Sequence, residues 1–477
     1  MGINNLPASL QSVIQQGYLE RRFRDALRAK LGFRAIADRE PFEAGIGETI
    51  TKTRTGLLPA ISTPIAPAAN SDITSGLTPQ NYTVEQYILG INQYAANMML
   101  NVATSKVAIA SLFLRNAFTL GEQAARSVDT IAQMALFGAY MGGNTRVTAT
   151  LGAPGLTVQV DDVRGFVTTL NTLGQPIPIS SGFPVVVNVG LDAYSLTGAV
   201  ADGVAPAQLP YWLANLTFSG SNTNVSTAPG GYSGVLTFSG NVTVADATIN
   251  NAVVSAVAPA VYRPSNLATG AMELSTAAIS QANDVNNGRL TIQMILGAKA
   301  NLEANNVPKW MGPDGLGGAG MYICYADPIH LTGLYNDPVF QMFFRGKPDT
   351  PEYRRGAIAE LLGVVIAETN MNPVQVLAGV GTVRRAIVCG QGALVEGVFT
   401  RTAYDAAMAV DDVSMTTFVD DIAHVTREPI DALKQVVTQT WSYIGGFTVP
   451  TDTTANPTVL PTASNAAYKR AAIIESL

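Results

Sequence analysis

Charged side chains are scarce in this 477-residue sequence: Asp, Glu, Lys and Arg make up 13% of it, against 47% hydrophobic residues. That fraction is about half of what a typical soluble domain carries. A soluble monomer with so few charges would tend to associate, so we expect much of its surface to be buried between subunits. The length allows a large core and indicates two to four domains.

Positive charge is also too sparse for a tight nucleic-acid binder. The formal net charge is −6, and phosphate neutralisation needs clustered Lys and Arg. A locally basic stretch near the N-terminus could face nucleic acid, but a solvated helix face is the favoured interpretation. This stretch holds Arg21, Arg22, Arg24, Arg28, Lys30, Arg34 and Arg39.

Long apolar runs are missing as well. No basic-then-apolar leader opens the printed sequence, and no run of about 18 apolar residues is free of charge. We therefore expect a protein that is neither secreted nor membrane-spanning, and we expect no membrane partner.

Cysteine and histidine, two frequent participants in catalysis, occur only twice each. Cys324 and Cys389 sit in apolar, strand-like runs, which favours free buried thiols over a disulfide or a redox pair. His330 and His424 lie far apart in the sequence and outside any metal-binding spacing. Each is better interpreted as a surface or core residue than as a ligand or base.

Motifs of other enzyme classes are likewise absent or incomplete. No GxSxG nucleophile elbow is present, and the glycine-rich stretch 312–320 lacks the Gly-Lys-Ser/Thr ending of a phosphate-binding loop. The acidic pairs Asp411-Asp412 and Asp420-Asp421 lack the ligand spacing of a divalent-cation loop, so solvated or ion-paired carboxylates are favoured. The sequence predicts no catalytic residue, cofactor or metal site, and a protein that is not an enzyme.

What the sequence does contain is a long polar hairpin, residues 45–94. Its first strand carries threonine on one side and mostly polar residues on the other, so neither face suits burial in a core. A proline-rich connection follows, and a second strand returns at Thr83–Leu89. Long connections without periodic structure are usually functional or disordered. We predict an arm that lies on another subunit. The alternating residues are Glu48, Ile50, Lys52 and Arg54 against Thr49, Thr51, Thr53 and Thr55.

Two helices are predicted from apolar periodicity. The first covers Ser9–Leu31 and stops at Gly32. The second runs from about Ser105 to Tyr140 and ends in glycines, and its length marks it as a structural spine. Its apolar stripe is Phe113, Ala117, Leu120, Ala124, Val128, Ile131 and Ala135.

Composition changes sharply over Val147–Met272, which contains no lysine. Short β-like runs recur there between turn signals, which predicts an inserted β-sandwich or barrel.

Helical pattern resumes at Leu274–Asn305, apolar strands alternate with helices after it, and a late strand, Val436–Tyr443, precedes Gly445-Gly446. Residues Thr451–Ser464 are predicted to be extended or poorly ordered.

In this order, the elements resemble the major capsid protein of tailed bacteriophages, the Hong Kong 97-type capsid fold, and most nearly its branch in N4-like phages. The resemblance spans nearly the whole chain outside the insertion. Its motifs are Gly47-Glu48-Thr49-Ile50, Leu58-Pro59-Ala60, Thr74–Pro79, Gly121-Glu122-Gln123-Ala124-Ala125 and the late strand Leu433–Phe447.

The resemblance implies an α+β fold with an N-terminal arm, an extended loop, a peripheral domain with a spine helix, an axial domain and an inserted all-β domain. The implied ranges are 1–44 for the arm, 45–94 for the extended-loop hairpin, 95–146 and 273–301 for the peripheral domain, 147–272 for the insertion, 302–426 for the axial domain and 427–477 for the peripheral-domain strand and C-terminal tail.

The same resemblance implies self-assembly into hexamers and pentamers of an icosahedral shell around phage DNA, contacted non-specifically on its inner face. Scaffolding, portal and decoration proteins are the further partners, and the virion capsid, assembled in the host cytoplasm, is the location. Some members of the family crosslink through a lysine in the loop, but no partner asparagine or acid is evident beside Lys52. The predicted intersubunit residues are Lys52, Arg54, Gly56 and Leu57.

Two other functions remain open from the sequence. Another virion or surface-lattice protein would share the low charge and the long arm. An enzyme with a β-domain lid is disfavoured because no catalytic constellation is evident.

Overall fold

A computed structural model describes most of the chain. The described residues are 23, 32–42, 49–55, 61–62, 84–101, 109–171, 175–207, 209, 213–263, 273–274, 288–310, 320–344, 360–377, 381–399, 416–427, 432, 435–452 and 466–477. The predicted helix Ser9–Leu31 lies outside them, apart from a helical, buried Phe23. Most of the predicted extended segment Thr451–Ser464 and of the glycine-rich stretch also lies outside.

The elements follow one another as a mixture of many strands and few helices, in accord with the predicted α+β class. In chain order they are β1 Ala37–Phe42, β2 Thr49–Thr55, β3 Val84–Gly90, β4 Asn92–Asn101, α1 Ile109–Tyr140, β5 Asn144–Arg146, β6 Gly155–Val160, β7 Thr168–Leu170, β8 Pro176–Pro178, β9 Val185–Val189, β10 Asp192–Ala201, β11 Gly234–Val242, β12 Ala252–Ser255, β13 Val261–Arg263, β14 Glu273–Leu274, α2 Ile292–Ala304, β15 Tyr322–Ala326, α3 Pro328–Tyr335, α4 Pro338–Phe344, β16 Glu360–Leu361, β17 Val364–Glu368, β18 Val374–Leu377, β19 Gly381–Cys389, β20 Leu394–Phe399, β21 Thr416–Val419, β22 Ile422–Arg427, β23 Val436–Thr448 and β24 Ala471–Ser476.

Helix α1 is the predicted spine. Its 32 residues make a rod about 48 Å long at the usual rise per residue. Six residues of the predicted stripe are buried and Ile131 is half-buried. The helix stops where Gly143 takes a φ of 79°, a left-handed conformation that glycine adopts without steric cost.

The buried face of α1 packs on a sheet that we call the spine sheet. Its strand order is β1-β20-β23-β22-β21, and β4 also pairs with β23. Strand β23 continues past Tyr443, where the strand was predicted to end before the glycines, through Gly445 and Gly446 to Thr448. These glycines do not end the strand. They lie where the backbones approach closely, and a Cβ on Gly446 would overlap the carbonyl oxygen of Gly90.

A second, central sheet has the order β14-β13-β24-β19-β15-β17-β16, with β18 also paired to β19. Cys324 and Cys389 lie on its adjacent strands β15 and β19, as free and fully buried thiols. Helix α2 covers this sheet, and the apolar residues between them form a second core. The C-terminal strand β24 sits inside the sheet, between β13 and β19, and is therefore part of the core.

The third sheet closes into a barrel. Its order is β5-β12-β9-β10-β11-β6, and the two ends of this order meet, because Val147 pairs with Val160 and the Thr148 N–H donates to the Gln159 carbonyl at 3.0 Å. Closure leaves no free sheet edge. The barrel is filled by its own apolar residues, among them Val158, Val187, Leu196, Leu236 and Phe238.

The chain enters and leaves the barrel at one point, where the Ser255 N–H donates to the Gly143 carbonyl at 2.8 Å. The barrel strands lie within 144–255, whereas β13 and β14 pair in the central sheet. The composition change at Val147–Met272 therefore does not coincide with the limits of the barrel. Residues 302–426, predicted as one axial domain, contribute strands to both the central and the spine sheet, because strand pairing connects residues distant in sequence.

Candidate intersubunit surface

The predicted arm begins as a two-stranded sheet that we call the arm hairpin, β2 and β3. Seven antiparallel pairs join them, from Thr49 opposite Gly90 to Thr55 opposite Val84. The threonine face of β2 is exposed, as expected. The other face is half-buried, and Ile50 packs against a small core that contains Phe42 and Leu89. The expectation that β2 buries nothing of its own is therefore wrong, because β1 and β3 supply a partner face.

Lys52 is engaged within its own chain. Its Nζ lies 2.7 Å from Glu40 Oε2 on β1. Tyr87 on β3 donates its hydroxyl to Glu40 Oε1 at 2.9 Å. Burial, followed by this hydrogen bond to Glu40, raises the pKa of Tyr87. Because both carboxylate oxygens of Glu40 hold residues of the arm hairpin, this contact fixes the hairpin against β1.

Arg54 is held more deeply, in a group that we call the clamp: Arg54, Asp452 and Arg470. Arg54 Nη1 lies 3.1 Å from Asp452 Oδ1, and Arg470 Nε lies 3.1 Å from Asp452 Oδ2. Asp452 is fully buried, and Arg54 also donates to the Gly392 carbonyl at 3.1 Å. Burial and the neighbouring Arg470 lower the pKa of Arg54. A buried carboxylate between two guanidiniums is costly to break, because each group left unpaired stays desolvated.

Two of the four predicted site residues have contacts in the structure. Lys52 and Arg54 lie two residues apart on one face of β2 and contact β1 and the C-terminal segment of their own subunit. Gly56 and Leu57 lie outside the described residues. The exposed side chains of β2 are those of Thr49, Thr51, Thr53 and Thr55. An intersubunit role for Lys52 and Arg54 stays a prediction.

A second buried ion pair lies beneath α1. Arg34 and Glu396 are fully buried and 2.7 Å apart, and Tyr443 donates its hydroxyl to Glu396 Oε1 at 2.8 Å. Asp129 on α1 accepts the backbone N–H groups of Gly32 and Arg34 at 3.1 and 3.0 Å. These contacts attach the segment before β1 to both the spine helix and the spine sheet.

A third group, the junction cluster, joins the barrel to the central sheet. Glu475 on β24 meets Arg263 at 2.6 Å and Arg146 and Arg385 at 3.0 Å each. All four side chains are buried. Burial alone would raise the pKa of Glu475, but the three guanidiniums outweigh it and hold that pKa below its usual range. Burial lowers the pKa of Arg146 to about 10.

Amide and carboxylate contacts extend the junction cluster. Arg385 donates to the Gln375 side-chain oxygen, and Gln375 donates to Asp161 Oδ2 at 2.6 Å. Asp161 also accepts the Thr227 backbone N–H at 2.7 Å. Since Asp161 and Thr227 belong to the barrel segment and Gln375 to β18, this network orients the barrel on the central sheet.

These buried charges were not predicted from the sequence. Glu475 stands in Ala-Ala-Ile-Ile-Glu-Ser and Glu396 in Leu-Val-Glu-Gly-Val-Phe, both otherwise apolar runs. A charged residue within an apolar run is rarely buried without a partner, and this was the available signal. The partners could not be inferred, because they are up to 362 residues away.

Asp411 and Asp412 lie outside the described residues, and the histidines, the cysteines and the other acidic pair are placed in the core or in a turn. Burial lowers the pKa of His330 and of His424 to about 4, and burial raises the pKa of Cys324 to about 12. Asp420 and Asp421 both have positive φ and form the tight turn between β21 and β22. Across the described ranges, no group of three His, Cys, Asp or Glu side chains could hold a metal ion.

Outside the barrel, several large apolar side chains are exposed on helices and on edge strands. On α3 and α4 these are Ile329, Tyr335, Val339 and Met342, and on the edge strands β4 and β18 they are Met99, Val374 and Val376. Exposed apolar groups at neighbouring positions mark interaction sites more often than solvated surface. Among the described helices, none is both long and apolar enough to span a membrane.

No family model and no curated protein matches this sequence. Similar solved structures include the capsid of Ralstonia phage GP4, with a TM-score of 0.47 and 13% identity over 94% of this chain and 89% of that chain. The head of Helicobacter pylori bacteriophage KHP40 gives a TM-score of 0.44 and 8% identity over 94% and 92%. The capsid of Cyanophage P-SCSP1u gives 0.42 and 11% over 93% and 87%.

Proposed function

We propose that this chain is a major capsid protein that self-assembles into hexamers and pentamers of an icosahedral shell enclosing phage DNA. The observation that carries the proposal is the arm hairpin. One face of β2 is fixed to its own subunit by the partly exposed Lys52–Glu40 pair and by the buried clamp, and the other is an uncharged, exposed row of threonines. A strand held so firmly on one side, with its other side unused, is suited to contact with another subunit.

In this proposal Lys52, Arg54, Gly56 and Leu57 serve the contact between subunits. Lys52 and Arg54 act through their own chain, because their ion pairs set the direction in which the arm hairpin leaves the subunit. Weak contacts suffice at each copy, since a shell repeats the same contact many times and the contributions add.

The remaining regions have roles consistent with the Hong Kong 97-type capsid fold of the N4-like branch. Helix α1 belongs to the proposed peripheral domain, residues 95–146, 273–301 and 427–477. The proposed axial domain, residues 302–426, carries α3 and α4, whose exposed apolar residues meet other subunits around the capsomer axis. The barrel is the inserted domain, facing outward. Scaffolding, portal and decoration proteins and packaged DNA are the further partners, and the protein is assembled in the host cytoplasm and resides in the virion.

Assembly of the purified chain tests the proposal. Negative-stain microscopy and size analysis should show closed shells. Monomers or small closed oligomers alone, under all assembly conditions, would contradict a capsid function.

A paired variant tests the arm hairpin. Thr51→Glu with Thr53→Glu adds charge to the exposed face of β2 without touching the ion pairs, so the subunit should keep its melting temperature while shells fail to form. Thr157→Glu, at an exposed barrel position, is the matched control and should still give shells. Normal assembly of the double variant would show that this face makes no contact.

A further inference from the structure

Strand β4 is a long edge of the spine sheet. All ten residues, Asn92–Asn101, are paired with β23 on one side. On its other side, the described residues provide no strand. An open edge presents a row of unpaired N–H and carbonyl groups, which readily pair with another chain.

The other edge strands in the described part of the chain carry some protection. Strands β14, β16, β18 and β21 have two to four residues. Strand β1 contains charges and Pro41, and β2 contains Lys52 and Arg54. Strand β4 is longer than any of these and has no charged residue, proline or glycine. An edge of this length and composition is a liability in a free monomer, which indicates that it is covered in the working protein.

The two faces of β4 are clearly different. Tyr94, Ala96 and Met98 pack against the core beneath α1, whereas the alternate residues are exposed, with Met99 at 68%. The exposed row is Gln93, Ala95, Asn97, Met99 and Asn101. A strand that pairs with β4 must keep the same faces inside and outside, because a one-residue slip would exchange them.

We propose that β4 pairs antiparallel with β4 of a second copy of this chain, about a two-fold axis, so that two spine sheets become one continuous sheet. This contact rests on the proposed function only in that the two copies meet in a shell. Identical surfaces that face each other across a two-fold axis must be self-complementary. Strand β4 satisfies this, because without charges no two like charges can lie opposite each other.

The face constraint leaves two central registers. In one, Asn97 lies opposite Asn97 of the second copy. In the other, Ala96 lies opposite itself and Ala95 lies opposite Asn97. Both keep Tyr94 and Met98 on the inner face of the joined sheet, and opposite side chains lie within reach of a disulfide.

Cysteine crosslinking of assembled particles tests this pairing. The native Cys324 and Cys389 are buried, so they leave an introduced surface thiol without an exposed competitor. After mild oxidation, most Asn97→Cys chains should run as a disulfide-linked dimer on a non-reducing gel. If the second register holds, the dimer appears instead in particles that mix Ala95→Cys and Asn97→Cys chains. Thr157→Cys, exposed on the barrel, is the control and should stay monomeric.

Three outcomes would overturn the pairing. The first is normal shells with no disulfide-linked dimer above the control in either register, and the second is a dimer only when Asn97→Cys is combined with Thr51→Cys, which assigns the edge to β2 of a neighbour. The third is normal shells from Asn97→Glu, because this variant places like charges close together across the axis. Failure of the unmodified chain to form any shell would instead contradict the proposed function itself.

Discussion

The barrel and the arm hairpin are both built of antiparallel strands, yet they are stabilised in opposite ways. The barrel closes on itself, satisfies its edges and fills its interior with apolar residues. The arm hairpin has two strands, little apolar contact and an open side, and it is held by Lys52–Glu40 and the clamp. A two-stranded sheet is at best marginally stable alone. The difference indicates that the barrel is stabilised by its own core, whereas the arm hairpin depends on the rest of its subunit.

The largest expected effect lies where the barrel joins the rest of the molecule. Glu475→Ala leaves three buried guanidiniums without their carboxylate, so the free energy of unfolding should fall by about 3–5 kcal/mol. Chemical denaturation measures this. Glu303→Ala, which removes a half-exposed pair with Lys309, should cost under about 1 kcal/mol. Equal losses in the two variants would mean that the junction cluster does not couple the barrel to the central sheet.

A cavity in the barrel tests its independence. Phe238 is buried at 2% exposure, and Phe238→Ala should cost about 3–5 kcal/mol of barrel stability. Hydrogen exchange should accelerate in β6 and β9–β11 and remain unchanged in β2 and β3. Leu156→Ala, an exposed position on the same barrel, is the control. Faster exchange in the arm hairpin would show that the two regions unfold together.

Acid should destabilise the sheets rather than the barrel, since both histidines lie outside it. Burial lowers the pKa of His330 and His424 to about 4, so the folded state favours their neutral forms. Their contribution to the free energy of unfolding is complete at pH values above about 6.5, the histidine pKa in the unfolded chain. It is lost as the pH falls from there to 4, by up to about 3 kcal/mol for each histidine. Denaturation midpoints measured across this range should fall, and His424→Leu should reduce the slope. An unchanged slope would contradict burial of a neutral His424.

The smallest expected losses of stability come from breaking the two ion pairs of the arm hairpin, and they should differ between the pairs. Arg54→Met breaks the buried clamp and should cost about 2 kcal/mol, whereas Lys52→Met removes a partly exposed pair and should cost under about 1 kcal/mol. Thermal melting of unassembled subunits distinguishes them. Thr53→Ala, on the exposed face, should lie within about 0.5 kcal/mol of the original. A larger cost for Lys52→Met than for Arg54→Met would reverse the assigned roles.

The hydrophobic pattern of the sequence predicted individual helices and strands, because each of these depends on neighbouring residues. The stripe from Phe113 to Ala135 marked the spine helix, and the alternation at Thr49–Thr55 marked β2. Sheet membership was not predictable in this way, because β24 pairs with β13 and β19, which precede it by more than eighty residues. The intersubunit role of Lys52 and Arg54 stays a prediction, and their contacts within the subunit could not be predicted from the sequence. Lys52 and Arg54 were selected for their charge, yet their partners Glu40 and Asp452 are set by the tertiary fold.

The single crossing point of the barrel, where Ser255 meets Gly143, has a practical consequence. A module whose two ends lie together can be exchanged for another without stretching the backbone that holds it. Residues 144–255 are therefore a natural place to graft a foreign domain with adjacent termini, such as an antigen or an affinity tag. In the proposed shell, such chimaeras would carry one copy of that domain on every subunit.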